Sequence, residues 1–189
     1  MKKRTVAGLI LAAAIGCLSG CGTADIDRDT LSLSKEGTAT YTILTDFSEP
    51  EYDLEELMDM AEAEVLAYGA GVEITKSDLE EGRLHFEYTF DSLKDYADFM
   101  DTSCYMGTVA QAGQNGYQLS AQMTSVKDGR EYAIDIESMG DYNIFIWSEA
   151  VAVRCDGEVL YYSSNLEAVS KVDAAPLSDS TGPYYVIYK

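Results

Sequence analysis

Arg83-Leu84-His85-Phe86-Glu87-Tyr88-Thr89-Phe90 alternates polar and apolar side chains without a break. Successive side chains of an extended chain point to opposite faces, so Leu84, Phe86, Tyr88 and Phe90 line one face, while Arg83, His85 and Glu87 line the other. The stretch is a strand with one side in a core and one in water. Upstream, Glu80-Glu81-Gly82 fits a three-residue loop, which sets Ile74 opposite Tyr88 and Val72 opposite Phe90. Downstream, Ser92 opens a helix whose Leu93, Tyr96, Ala97 and Met100 share one face.

The same plan precedes it. Leu31 and Leu33, the loop Lys35-Glu36-Gly37, then Ala39, Tyr41 and Ile43 form a hairpin in which Leu33 faces Ala39 and Leu31 faces Tyr41. Asp53 caps a first helix, with Glu56 answering as in a capping box. Leu54, Leu57, Met58, Ala61, Val65 and Tyr68 make its apolar stripe, and Gly69 stands where a C-terminal cap belongs. Strand, strand, helix thus occurs twice, a duplication of architecture rather than of residues.

Beyond this, Thr108 to Gln111 caps a short helical turn, and Asn115-Gly116 marks another turn. Leu119, Ala121 and Met123 are expected to meet Tyr132, Ile134 and Ile136 across a two-residue Asp128-Gly129 loop. Asp156-Gly157 is read the same way, setting Val153 opposite Leu160 and Val151 opposite Tyr162. Ile144 to Trp147 lies between these hairpins and Leu166 to Val172 beyond them. Tyr184 to Tyr188 closes the chain as a strand apolar on both faces, which suits the interior of a sheet. The fold class expected is α+β: a mostly antiparallel sheet with two helices packed on one side and a β-rich C-terminal half.

The N-terminus has a different character. Lys2, Lys3 and Arg4 lead into an apolar run from Val6 to Leu18, too short to span a bilayer as a helix, and then meet small residues. This is the pattern of an export signal. Leu18-Ser19-Gly20-Cys21 resembles the lipobox of bacterial lipoproteins. The resemblance implies that residues 1–20 are removed and that Cys21 carries a diacylglycerol at the new N-terminus. Residues 21–29 then read as a lipid-anchored tether and 30–189 as a single α+β domain. The first hairpin, Tyr52-Asp53-Leu54-Glu55-Glu56-Leu57, Gly107-Thr108-Val109-Ala110 and the Tyr-rich last strand further resemble small lipoproteins of Gram-positive anaerobes. That likeness brings no catalytic or binding residues with it.

The chain of 189 residues carries a formal charge of −20, and the leader takes three basic residues and no acid with it, leaving −23. Such a surface repels nucleic acid and anionic headgroups, so no nucleic acid partner is expected and the anchor must be lipid. Cys17 leaves with the leader and Cys21 is spent on the anchor. Cys104 and Cys155 then have two outcomes open: a disulfide, which an extracytoplasmic site permits, or two buried small hydrophobes.

No catalytic constellation assembles itself. His85, the single histidine, faces outward on its strand, with no serine or cysteine placed beside it. Ser32-Leu33-Ser34-Lys35 matches a Ser-x-x-Lys nucleophile motif but sits in a hairpin strand, where that serine must open a helix. Asp25, Asp27, Asp29 and Glu36 match part of a calcium loop, yet Thr30 replaces its turn glycine and a strand follows. No metal-ligand spacing and no cofactor motif is present. The aromatics remain. Trp147, Tyr161, Tyr162 and Tyr184, with Tyr185, cluster late in the chain, as core or as a contact patch for wall glycan or an envelope protein. Three functions stand at this point: a non-enzymatic envelope-binding lipoprotein, a carboxylate-based cell-wall glycan hydrolase, and an acidic divalent-cation-binding surface.

Overall fold

A computed structural model describes residues 27–48, 53–119 and 122–189. The leader, Cys21, Asp25, Tyr52 and Ala121 lie outside them.

The first hairpin joins β1 (Thr30–Leu33) to β2 (Ala39–Asp46) with Leu31 opposite Tyr41 and Leu33 opposite Ala39. Gly37 takes a φ of 87° in the three-residue loop, a left-handed conformation that glycine adopts without penalty. The helix α1 (Leu54–Tyr68) starts where Asp53 accepts from the Glu56 backbone N–H at 2.8 Å, and its expected stripe is the face turned to the core. Only Ala61 of α1 is fully buried.

The next hairpin pairs β3 (Val72–Glu80) with β4 (Arg83–Phe90), and it differs from expectation in an instructive way. Val72 faces Phe90 and Ile74 faces Tyr88, as the three-residue loop requires. The turn itself, however, is the two residues Glu81 and Gly82, both at positive φ, and an extra residue at Thr75 restores the register. The helix α2 (Leu93–Phe99) follows, capped by Ser92. Its Tyr96 and Phe99 meet Phe90 edge-on or tilted at 5.4 and 5.7 Å.

The strand β5 (Cys104–Thr108) has no apolar alternation and was not expected. It leads into α3 (Val109–Gln114), which Thr108 and Gln111 close with a full capping box. The hairpin of β6 (Gln122–Ser125) and β7 (Glu131–Ala133) exists, but Met123 meets Tyr132 rather than Ile134. Asp128 causes this: its carboxylate accepts from Arg130 N and the Tyr132 hydroxyl, holding a longer loop in which Ser125 N bonds Arg130 O. The backbone of Ile136–Met139 is a helical turn, not strand.

The C-terminal half holds β8 (Asn143–Trp147), β9 (Ala152–Arg154), β10 (Val159–Ser163), β11 (Leu166–Ala168), β12 (Asp173–Pro176) and β13 (Tyr184–Tyr188). Two expectations fail here. β9 and β10 are not a hairpin: β9 runs parallel to β1 and antiparallel to β12, while β10 lies between β13 and β6. The stretch from Leu166 to Val172 is a strand and a turn, because Val169 and Ser170 donate back to the Asp173 carbonyl.

The single expected sheet is therefore two, in the orders β11-β12-β9-β1-β2-β4-β3 and β5-β8-β13-β10-β6-β7. The fold class is α+β and predominantly antiparallel, with β1–β9 parallel. One core draws side chains from both sheets and both long helices, including Leu31, Tyr41, Phe90, Tyr96, Phe145, Trp147 and Val186. The six-stranded sheet has a second apolar face, Ile144, Ile146 and Ile187 beneath Val109 and Ala112 of α3. This explains why β13 is apolar on both sides.

Candidate functional site

The polar face of β2–β4–β3 holds the chain's only imidazole, and the β3–β4 register builds its surroundings. With Thr75 bulged, Lys76 falls opposite Glu87, Asp78 opposite His85 and Glu80 opposite Arg83. On the other side of β4, Thr42 faces Glu87 and Leu44 faces His85. Each cation on β3 or β4 thus stands beside an acid. The face borders a cleft of about 920 Å³ lined by Lys76, Asp78, Glu80, Arg83 and His85, with Asp27 from the N-terminal segment on its rim.

His85 is committed on both nitrogens. Lys76 Nζ lies 3.0 Å from Nδ1, and Glu87 Oε1 lies 3.0 Å from Nε2. An ammonium only donates, so in this arrangement Nδ1 accepts from Lys76 and Nε2–H donates to Glu87. The Thr42 hydroxyl reaches Glu87 at 3.5 Å and Asp78 lies 3.6 Å from Lys76, extending the chain at each end. General base catalysis needs a lone pair within reach of a substrate proton; here an ammonium occupies it.

The segment leading into β1 is bound to this face. Asp27 pairs with Arg83. Asp29 accepts from Leu44 N at 2.9 Å, and its carbonyl accepts from Ala152 N at 3.0 Å. Two acids of the partial calcium pattern are therefore occupied, and among the described residues no group of three or more His, Cys, Asp or Glu converges as a metal site would.

The aromatic patch is corrected. Trp147 is buried, stacked on Phe145 at 5.2 Å and packed on Tyr184 at 5.4 Å, and its indole N–H donates to Val151 O at 3.1 Å. Tyr184 is fully buried, with its hydroxyl donating to Ser180 O at 3.0 Å. Neither can touch a ligand. Tyr162 packs against the main core; Tyr161 and Tyr185 pack against the second apolar cluster, and Tyr161 meets Tyr132 edge-on at 6.1 Å. The cleft beside His85, the one between α1 and β3 and the one between Asp27 and Pro176 have no Phe, Tyr or Trp in their lining, so none of these offers the ring floor on which a sugar stacks.

The disulfide outcome is likewise not realised: Cys104 and Cys155 are separate thiols. Burial, and then the charge of Glu149, pushes the Cys104 thiol up to about 11. Burial, with Asp156 and Asp173 nearby, pushes Cys155 up as well. Both stay protonated and unreactive at neutral pH.

Two polar pairs escaped the sequence reading. The buried Asp173 carboxylate accepts from Arg154 Nε at 2.7 Å and Ser170 Oγ at 2.6 Å, and the Tyr96 hydroxyl donates to Glu149. Both join residues far apart in the chain, and nothing local announces them. The partners of His85 did leave a signal. Continued without a bulge, the three-residue register puts Lys76 opposite Phe86 and Asp78 opposite Leu84, burying charges, a conflict that only an extra residue on β3 relieves. Among the described residues no helix is long and apolar enough to cross a membrane. Compared with family models, curated proteins and solved structures, the chain matches none.

Proposed function

We propose that this chain is an extracytoplasmic lipoprotein, held to the cell membrane through diacylglyceryl Cys21, that binds a partner in the envelope and performs no catalysis. Two observations favour binding: the closed Glu87–His85–Lys76 chain leaves the one imidazole no free nitrogen, and the clefts described above lack the Phe, Tyr or Trp floor that a carboxylate-based glycan hydrolase would use. The anchor rests on the charged start, apolar run and Leu18-Ser19-Gly20-Cys21. At −23 the exported chain has no electrostatic means of holding an anionic bilayer, and two or more acyl chains need none.

The bound N-terminal segment adds a geometric consequence. Six residue steps separate Cys21 from Asp27, a reach of about 20–22 Å when fully extended. Arg83 and the rim of the His85 cleft therefore stay close to the membrane surface, closer than a free tether to residue 29 allows. In cell fractions, wild type remains in the membrane pellet through a molar salt wash, and Cys21→Ser abolishes the mature membrane-bound form. Purified cell-wall glycan incubated with the protein gains no reducing ends. Release by salt, or new reducing ends, overturns the proposal.

A further inference from the structure

A groove of about 660 Å³ runs between α1 and β3. Its helix wall is Met58, Glu62, Val65 and Leu66, a single stripe at helical spacing. Its other wall is Glu73, Ile74, Thr75, Lys76 and Ser77. Neighbouring side chains of a strand point to opposite faces, so five consecutive residues border one groove only where it exposes the strand's edge. β3 ends the seven-stranded sheet, and among the described residues only β4 pairs with it. The groove therefore presents a row of unpaired backbone donors and acceptors beside an apolar stripe, in which Leu66 is 83% exposed.

The charge around it selects the occupant. From residue 36 to 75 the chain has no Lys, Arg or His, and Glu62 and Glu73 stand on the two walls; Lys76, the cation of the lining, has its ammonium engaged by His85 and Asp78 on the polar face. A second copy would bring the acids of its own β3, Glu73, Asp78 and Glu80, against the same acids, and an anionic bilayer is repelled likewise. What fits is an extended chain with positive side chains and apolar ones at alternate positions.

We infer that the α1–β3 groove binds a basic, extended segment of a partner protein as an added strand on β3, its alternate apolar side chains lying against Val65 and Leu66. This rests on the reading of the chain as a binding module and names the partner's chemistry. The test uses the full chain in non-ionic detergent and a fluorescein-labelled peptide of alternating Lys and Val, followed by anisotropy. The peptide binds, its Glu-Val counterpart does not, and N-methylation of alternate amides weakens binding roughly tenfold or more in one of the two registers. The double variant Glu62→Lys, Glu73→Lys, at two exposed positions, weakens the Lys-Val peptide by a similar factor with an unchanged circular dichroism spectrum. Should that variant misfold, Leu66→Asp at the exposed Leu66 serves instead. Absence of binding, equal affinity for all methylated forms, indifference to the substitutions, or concentration-dependent dimerisation blocked by them overturns the inference. Failure here with Cys21 acylated removes the groove's role and leaves the anchor standing; a bare Cys21 with peptide binding intact does the reverse.

Discussion

Gly157 shows how closely two backbones within one sheet can approach, here at the start of β10 and the end of β13. A Cβ added there would sit 2.1 Å from the Lys189 carbonyl oxygen, against which Glu158 and Lys189 exchange backbone hydrogen bonds of 2.9 and 3.1 Å. Gly157→Ala must break that exchange and is expected to cost about 2–4 kcal/mol in urea unfolding. Gly116→Ala, at a φ of 85° with open space around it, is expected to cost about 1 kcal/mol through the backbone alone. Equal losses would mean that the close approach at Gly157 is unimportant. Asp95 gives a pH counterpart. The Ser92 hydroxyl, opposed by partial burial and aided by Tyr68, holds its carboxyl below the usual range. A carboxyl lowered on folding stabilises the native state above its unfolded value, and that contribution is lost as pH falls through the folded one. Asp95→Asn should therefore flatten the decline in stability below about pH 4. A slope as steep as wild type would contradict it. At single positions the sequence was half legible. His85 faces outward as its alternation requires, whereas Trp147 and Tyr184 look like contact residues until tertiary packing encloses them, and no pattern within the chain records that.

The hairpins and caps were the most legible elements because their determinants are local. Asp53, Ser92 and Thr108 each accept from a backbone N–H three residues on, as short polar side chains do at helix starts. The two Asp-Gly turns misled for opposite reasons. At Asp128-Gly129 the aspartate's own hydrogen bonds lengthen the loop; at Asp156-Gly157 the turn carries the chain from one sheet into the other. A turn signal says that the chain reverses, not which strand it will pair with. β5 and β12 were missed because neither alternates. Among the long elements α1 is the most loosely held, with one fully buried residue against four in β8. In native-state hydrogen exchange its amides are expected to exchange well before those of β8 and β13, and Asp53→Ala to widen the gap by about 1 kcal/mol. Exchange of α1 together with β8 and β13 would show that the groove wall is not independently mobile.

The domain is two sheets sharing one core, and Tyr41, Tyr88, Tyr96, Tyr184 and Tyr188 are buried in it. Burial raises Tyr41, Tyr88, Tyr96 and Tyr188 above the ordinary tyrosine value, helped at Tyr41 by Asp29 and Glu149 and at Tyr96 by its bond to Glu149. An acid raised on folding contributes stability that is complete below its unfolded value and is lost as pH climbs beyond it. Stability should hold to about pH 10 and then fall, with these four ionising only as the domain opens. An ultraviolet titration in which all 14 tyrosines ionise together without loss of structure would contradict this. The fold class was readable from alternation and capping. The division into two sheets was not, because it depends on pairings such as β1 with β9, more than a hundred residues apart. Mass spectrometry of the N-terminal peptide from membrane-extracted protein tests the proposed anchor most directly. The result expected is a mature chain beginning at Cys21 with a diacylglyceryl thioether on its sulfur; an N-terminus elsewhere with a free thiol at position 21 would contradict it.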